Sequence, residues 1–128
     1  MSTPLEQWHE FVASQNPAVL AELIDEHCVF LSPVVHSPQR GRDLTMMYLT
    51  GAMHVLHDGF QYQKEIVDGQ HAVLEFVCNV DDTIVNGVDI ITFNEAGKIV
   101  EFKVMVRPLK AINAVHGKMR EMLEQLSA

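Results

Sequence analysis

Asp89 stands in the run Gly87-Val88-Asp89-Ile90-Ile91-Thr92-Phe93, a carboxylate among apolar and β-branched residues. Burying a lone charge is far too costly, so this group must be solvated, paired with a partner, or kept protonated. In the last case it can donate a hydrogen bond to a ligand oxygen, or serve as an acid/base if a second group is within reach. Asp89 is therefore the candidate catalytic residue. The seven histidines offer less. His54 and His57 end a helical segment, His36 lies in a proline loop and His9 follows Trp8. No pair has the spacing of a helix motif such as HExxH, so no metal site is expected. Cys28 and Cys78 sit in separate apolar runs without CxxC spacing and read as buried free thiols. Arg40 and Arg42 flank Gly41 at a helix start, where an anionic group could be received.

The elements that must position these groups follow from periodicity. Leu5, Trp8, Phe11 and Val12 recur at helical spacing, and Pro17 opens a second short helix carrying Val19, Leu20, Leu23 and Ile24. Cys28 to Leu31 reads as a strand closed by Ser32-Pro33, followed by a loop from Val34 to Arg40. Asp43 is expected to cap a third helix running to about His57, with Met46 and Met53 on one face. From Phe60 the period changes to two. Strands are expected over Phe60 to Val67, His71 to Val80, Thr83 to Phe93 and Lys98 to Val106, joined by turns short enough to make antiparallel neighbours. Pro108 ends the sheet, and Leu109, Ile112, Met119 and Leu126 mark a closing helix. This order predicts an α+β domain spanning residues 1–128, in which a curved antiparallel sheet wraps around the N-terminal helices as a cone-shaped barrel.

If Asp89 points inward, strand alternation brings Phe76 and Cys78 to the same face from one neighbouring strand, and Phe102 and Val104 from the other. Phe30 and Ser32 complete the wall from the first strand. Trp8, Phe11, Met46 and Met53 are the helical candidates. Such a pocket is apolar with one acid at its depth, suited to a small hydrophobic molecule oriented by one strong hydrogen bond. Asp89 could instead accept from backbone donors, or pair with Lys103 or Arg107 at a subunit interface.

Composition narrows the partners. With 128 residues, 48% of them hydrophobic, the chain suits one core with a cavity. A net charge of −8 without any basic cluster disfavours nucleic acid. No apolar stretch approaches about 18 residues, and no leader pattern opens the chain, so a cytoplasmic protein without membrane contact is expected. No cofactor is expected either. Val88, Ile90 and Met105 would leave an apolar patch on the outer sheet face of a monomer, which predicts a homodimer formed sheet against sheet.

The segment Asp25-Glu26-His27-Cys28-Val29-Phe30-Leu31-Ser32-Pro33, the Gly41-Arg42-Asp43 helix start, and Val88-Asp89 through Gly97-Lys98-Ile99 together resemble the nuclear transport factor 2-like superfamily. The likeness is to its SnoaL-like polyketide cyclase and ketosteroid isomerase branches, and it spans nearly the whole chain. It implies that Asp89 occupies the place of the protonated aspartic acid in the isomerase oxyanion hole. It also places Ser32 where the isomerases hold their general base. A serine cannot shuttle a proton at neutral pH unaided, and the first helix offers Trp8, His9 and Phe11 where those isomerases carry a tyrosine. Phe102-Lys103-Val104 replaces the His-Trp-Asp-like group of the cyclases. The expected function is thus a small-molecule-binding domain, with an isomerase, cyclase or dehydratase using Asp89 as the alternative.

Overall fold

A computed structural model describes residues 3–126. The chain opens with α1 (Pro4–Ser14) and α2 (Pro17–Leu23), followed by β1 (Ile24–Leu31) and the two-residue β2 (Gln39–Arg40). Next come α3 (Arg42–Leu56), the strands β3 (Gln61–Asp68), β4 (His71–Val80), β5 (Thr83–Phe93) and β6 (Ile99–Arg107), and finally α4 (Leu109–Leu126). Local chemistry explains the first two helices. Thr3 and Glu6 form a reciprocal capping box on α1, each side chain accepting from the other's backbone N–H at 3.1 Å. Asn16 caps α2 by accepting from the Ala18 N–H, with Pro17 at the first helical position.

All six strands form one sheet in the order β2-β1-β6-β5-β4-β3. The run from β3 to β6 is the expected antiparallel meander, whereas β1 joins the edge of β6 in parallel, so the sheet is mixed and stays open. A long crossover through α3 and the meander separates β1 from β6, and such a connection permits the parallel pairing. Register shifts interrupt β1–β6, β3–β4 and β5–β6, the kind of irregularity that bends a sheet.

Two expectations are corrected in detail. Asp43 is not the cap of α3: Gly41, at φ 101°, is the cap residue and makes no side-chain cap bond. Asp43 lies in the first turn instead, where a carboxylate favours the positive end of the helix. Gln39–Arg40 of the expected loop pairs with Val29 and Phe30, which converts its end into a short edge strand.

One face of the sheet carries the core. Along β5 buried residues alternate strictly, with Val85, Gly87, Asp89, Ile91 and Phe93 inward. Trp8, Phe11, Leu20, Leu23, Phe76 and Phe102 are almost wholly buried and fill the space between this face and the helices. α4 lays Ala111, Val115 and Met119 onto the sheet and α3 at four-residue spacing. Among the described residues no helix is long and apolar enough to cross a membrane.

Candidate functional site

Between α1, α3, α4 and the inner sheet face lies a cavity of about 390 Å³, within the range of small-molecule sites. Trp8, Phe30, Phe102, Val104 and Met53 line it, with Ser32 at the end of β1. Asp89 enters this apolar wall from β5 and is only 6% exposed.

A chain of three side chains holds the acid. The indole Nε1–H of Trp8 donates to the Tyr62 hydroxyl at 2.9 Å, and that hydroxyl donates to Oδ2 of Asp89 at 2.6 Å. Tyr62 thereby spends its single proton on one carboxyl oxygen and leaves Oδ1 for whatever enters the cavity. Burial pushes the Asp89 carboxyl up to about 7, and the Tyr62 hydrogen bond restrains that rise. Burial and the neighbouring Asp89 charge raise the Tyr62 phenol in turn, so Tyr62 stays a donor. Near neutrality the site can switch between a neutral acid that donates through Oδ1 and a carboxylate that accepts.

The alternative partners of Asp89 lie elsewhere. Lys103 pairs in register with Ile90, one position off and so on the opposite face. Arg107 donates through Nη1 to Oδ1 of Asn86 at 3.3 Å. Among the described residues no cation forms an ion pair with Asp89.

Four expected wall residues stand off the cavity. Phe76 is covered by Phe60, whose ring stacks on it at 5.1 Å, and Phe60 takes its place on the wall. Cys78 is in register with Val85, further toward the β4–β5 turn. Phe11 packs beside Trp8 in the core, with ring centroids 5.5 Å apart. On α3 the wall comprises Met47, Tyr48, Leu49, Ala52, Met53 and Leu56, and Met46 is not among them.

Ser32 reaches the wall, but its Oγ accepts the N–H of Val34 at 3.1 Å, which ties it to the loop that supplies Pro33, Val34 and Val35 to the same wall. Cys28 and Cys78 are buried free thiols, each pushed up to about 11 by burial, so neither is a nucleophile near neutral pH. Among the described residues no three His, Cys, Asp or Glu side chains converge as metal ligands.

Sequence reasoning missed Tyr62. The resemblance implies a tyrosine on the first helix, whereas here it arrives from β3, where it is half-buried in an otherwise exposed strand. The signal was the Phe60-x-Tyr62 pair, two aromatic residues at period two that must share a face. His116 of α4 is also on the wall, at its exposed rim.

A family model of the SnoaL-like domain matches residues 5–102. No curated protein matches the chain. Among solved structures, a steroid delta-isomerase of Pseudomonas aeruginosa is 34% identical with a TM-score of 0.91, covering 98% of this chain and 93% of its own. An uncharacterized bacterial protein with a cystatin-like fold from Silicibacter pomeroyi is 30% identical with a TM-score of 0.87, covering 94% and 85%. A putative polyketide cyclase of Sinorhizobium meliloti shares the fold at a TM-score of 0.66, with 12% identity over 82% of this chain and 95% of that one. With the family pattern running from α1 into β6 and the curved sheet closing over a helix-lined cavity, the protein belongs to the SnoaL-like domain family.

Proposed function

We propose that this domain binds a small, mostly apolar molecule in the cavity and polarises one of its oxygen atoms through Asp89. The observation that carries this is the Trp8–Tyr62–Asp89 chain, which fixes a buried acid on an apolar wall and commits only one of its oxygens. An acid held protonated in this way stabilises negative charge developing on a carbonyl or phenol oxygen. The test is a carboxyl-carbon NMR titration of Asp89, assigned with Asp89→Asn, with and without a panel of phenols and cyclic enones. A midpoint near 7 that moves with one panel member supports the proposal. A midpoint in the ordinary carboxylate range that ignores every ligand removes it.

The match to the steroid delta-isomerase favours a second reading, in which the bound carbonyl compound also loses and regains a proton beside Asp89. Ser32 does not supply the base. On the described cavity wall the other imidazole and carboxylate side chains are His116 and Glu124. Conversion of a β,γ-unsaturated ketone to its conjugated isomer, followed by ultraviolet absorbance in the wild type and in His116→Gln and Glu124→Gln variants, separates catalysis from binding. Binding without conversion leaves the domain a carrier or sensor.

The reading extends to assembly as a homodimer through the outer sheet face. Ile84 and Met105 stand 70% and 56% exposed there, and Met105 lies in register with the half-buried Val88.

A further inference from the structure

The ionisable histidine, arginine and glutamate side chains of the cavity wall are gathered on one helix. They are His116, Arg120 and Glu124, spaced four apart on α4. This stripe runs directly beside the apolar stripe of Val115, Met119 and Leu123, because successive helix residues differ by about 100°. His116 and Arg120 are exposed whereas Asp89 is buried, so the cavity leads from a buried acid to a polar mouth.

Arg120 is the sole Lys or Arg among the described wall residues, in a chain with 9 basic and 17 acidic residues. Among the described residues neither Arg120 nor His116 has a side-chain hydrogen bond or ion pair. Two other cations are committed. Lys118, two residues before Arg120, faces Asp81 at 3.5 Å and Glu121 at 3.7 Å. Arg42 donates through Nε to the Ile24 carbonyl at 3.1 Å. An arginine here can lay its aliphatic stem along the apolar wall and hold its guanidinium at the rim. There the planar fork can take a carboxylate or similar anion through two parallel hydrogen bonds.

We infer that the ligand of this cavity is a two-ended molecule, with an uncharged oxygen-bearing end at Asp89 and an anionic end, of carboxylate type, held by Arg120 at the mouth. This rests on the proposed binding function and specifies its ligand class. An uncharged hydrophobe would leave the guanidinium unused.

Two fluorescent probes separate the ends: 6-hydroxy-2-naphthoic acid and 6-hydroxy-2-naphthamide, alike in ring and hydroxyl and differing in charge. At pH 7.5 and low salt the wild-type protein should bind the acid about tenfold more tightly than the amide, with the preference shrinking as salt is added. Arg120→Gln should bring the two affinities within about twofold by weakening the acid alone, and Arg120→Glu should reverse the order. Amide binding that persists without any preference for the acid, or a preference that survives Arg120→Gln, overturns the anion site and leaves the cavity reading intact. Failure of both probes to bind the wild type overturns both.

Discussion

The Tyr62 hydroxyl meets Oδ2 of Asp89 at 2.6 Å although the two residues belong to strands β3 and β5, which never pair. The strand between them makes the contact feasible. Phe76 of β4 lies in register with both Tyr62 and Gly87, and its ring fills the space that a side chain at position 87 would take. With that space occupied by the β4 ring, the Tyr62 phenol crosses toward the next inward residue of β5, which is Asp89.

Replacing Tyr62 by Phe should push the Asp89 carboxyl above its value of about 7, because the lost hydrogen bond is what lowers it. It should also cost about 1–3 kcal/mol of stability, since the Trp8 indole N–H and the Asp89 oxygen both lose their partner. Carboxyl-carbon NMR and urea denaturation measure the two effects on the same variant. An Asp89 midpoint that stays in place or falls would show that the phenol does not reach the acid.

The raised carboxyl makes stability depend on pH with an unusual sign. Between the ordinary value of 3.8 and the folded value of about 7, the folded chain binds more protons than the unfolded one. The contribution of Asp89 is therefore complete below 3.8 and is lost as pH rises toward 7, by up to about 4 kcal/mol. Asp89→Asn removes this slope, so its stability relative to the wild type should improve from pH 4 to pH 8. Parallel denaturation curves for the two proteins across that range would contradict a raised value.

Gly87→Ala should destabilise the fold by about 1–3 kcal/mol. A Cβ there would meet Cζ of Phe76 at 2.4 Å and the backbone oxygen of Met105 at 2.9 Å. Phe76→Leu should relieve only part of the loss, because the Met105 oxygen is fixed in the β5–β6 ladder. Urea midpoints of the two single variants and the double variant give the coupling.

On the outer sheet face, Met105→Lys combined with Ile84→Lys should convert the proposed homodimer to a monomer while leaving the inner cavity untouched. Both side chains point away from Asp89, since Ile84 and Met105 occupy outward positions of their strands. Sedimentation velocity at micromolar concentration reads the change. A wild-type protein that already sediments as a monomer would remove the sheet-face dimer.

The sequence by itself determined the helices and the long strands, though not the two-residue β2. Periods of 3.6 and 2 are imposed by backbone geometry, so the two opening helices and the four-strand meander could be read from apolar spacing alone, and with them which residues share a face with Asp89, whereas its inward position was one of the alternatives that the spacing left open. Solvation energy likewise required that a carboxylate among Val88, Ile90 and Ile91 be an exceptional one. Tertiary structure alone decided what stands beside it. Whether Lys103, Arg107 or Tyr62 became its neighbour depended on strand order, on the ring of Phe76 filling the place of a side chain at Gly87, and on the depth of Trp8 in the core. The parallel seam between β1 and β6 and the Arg120 stripe at the cavity mouth arise the same way. Each depends on contacts between residues far apart in the chain, for which local periodicity carries no signal.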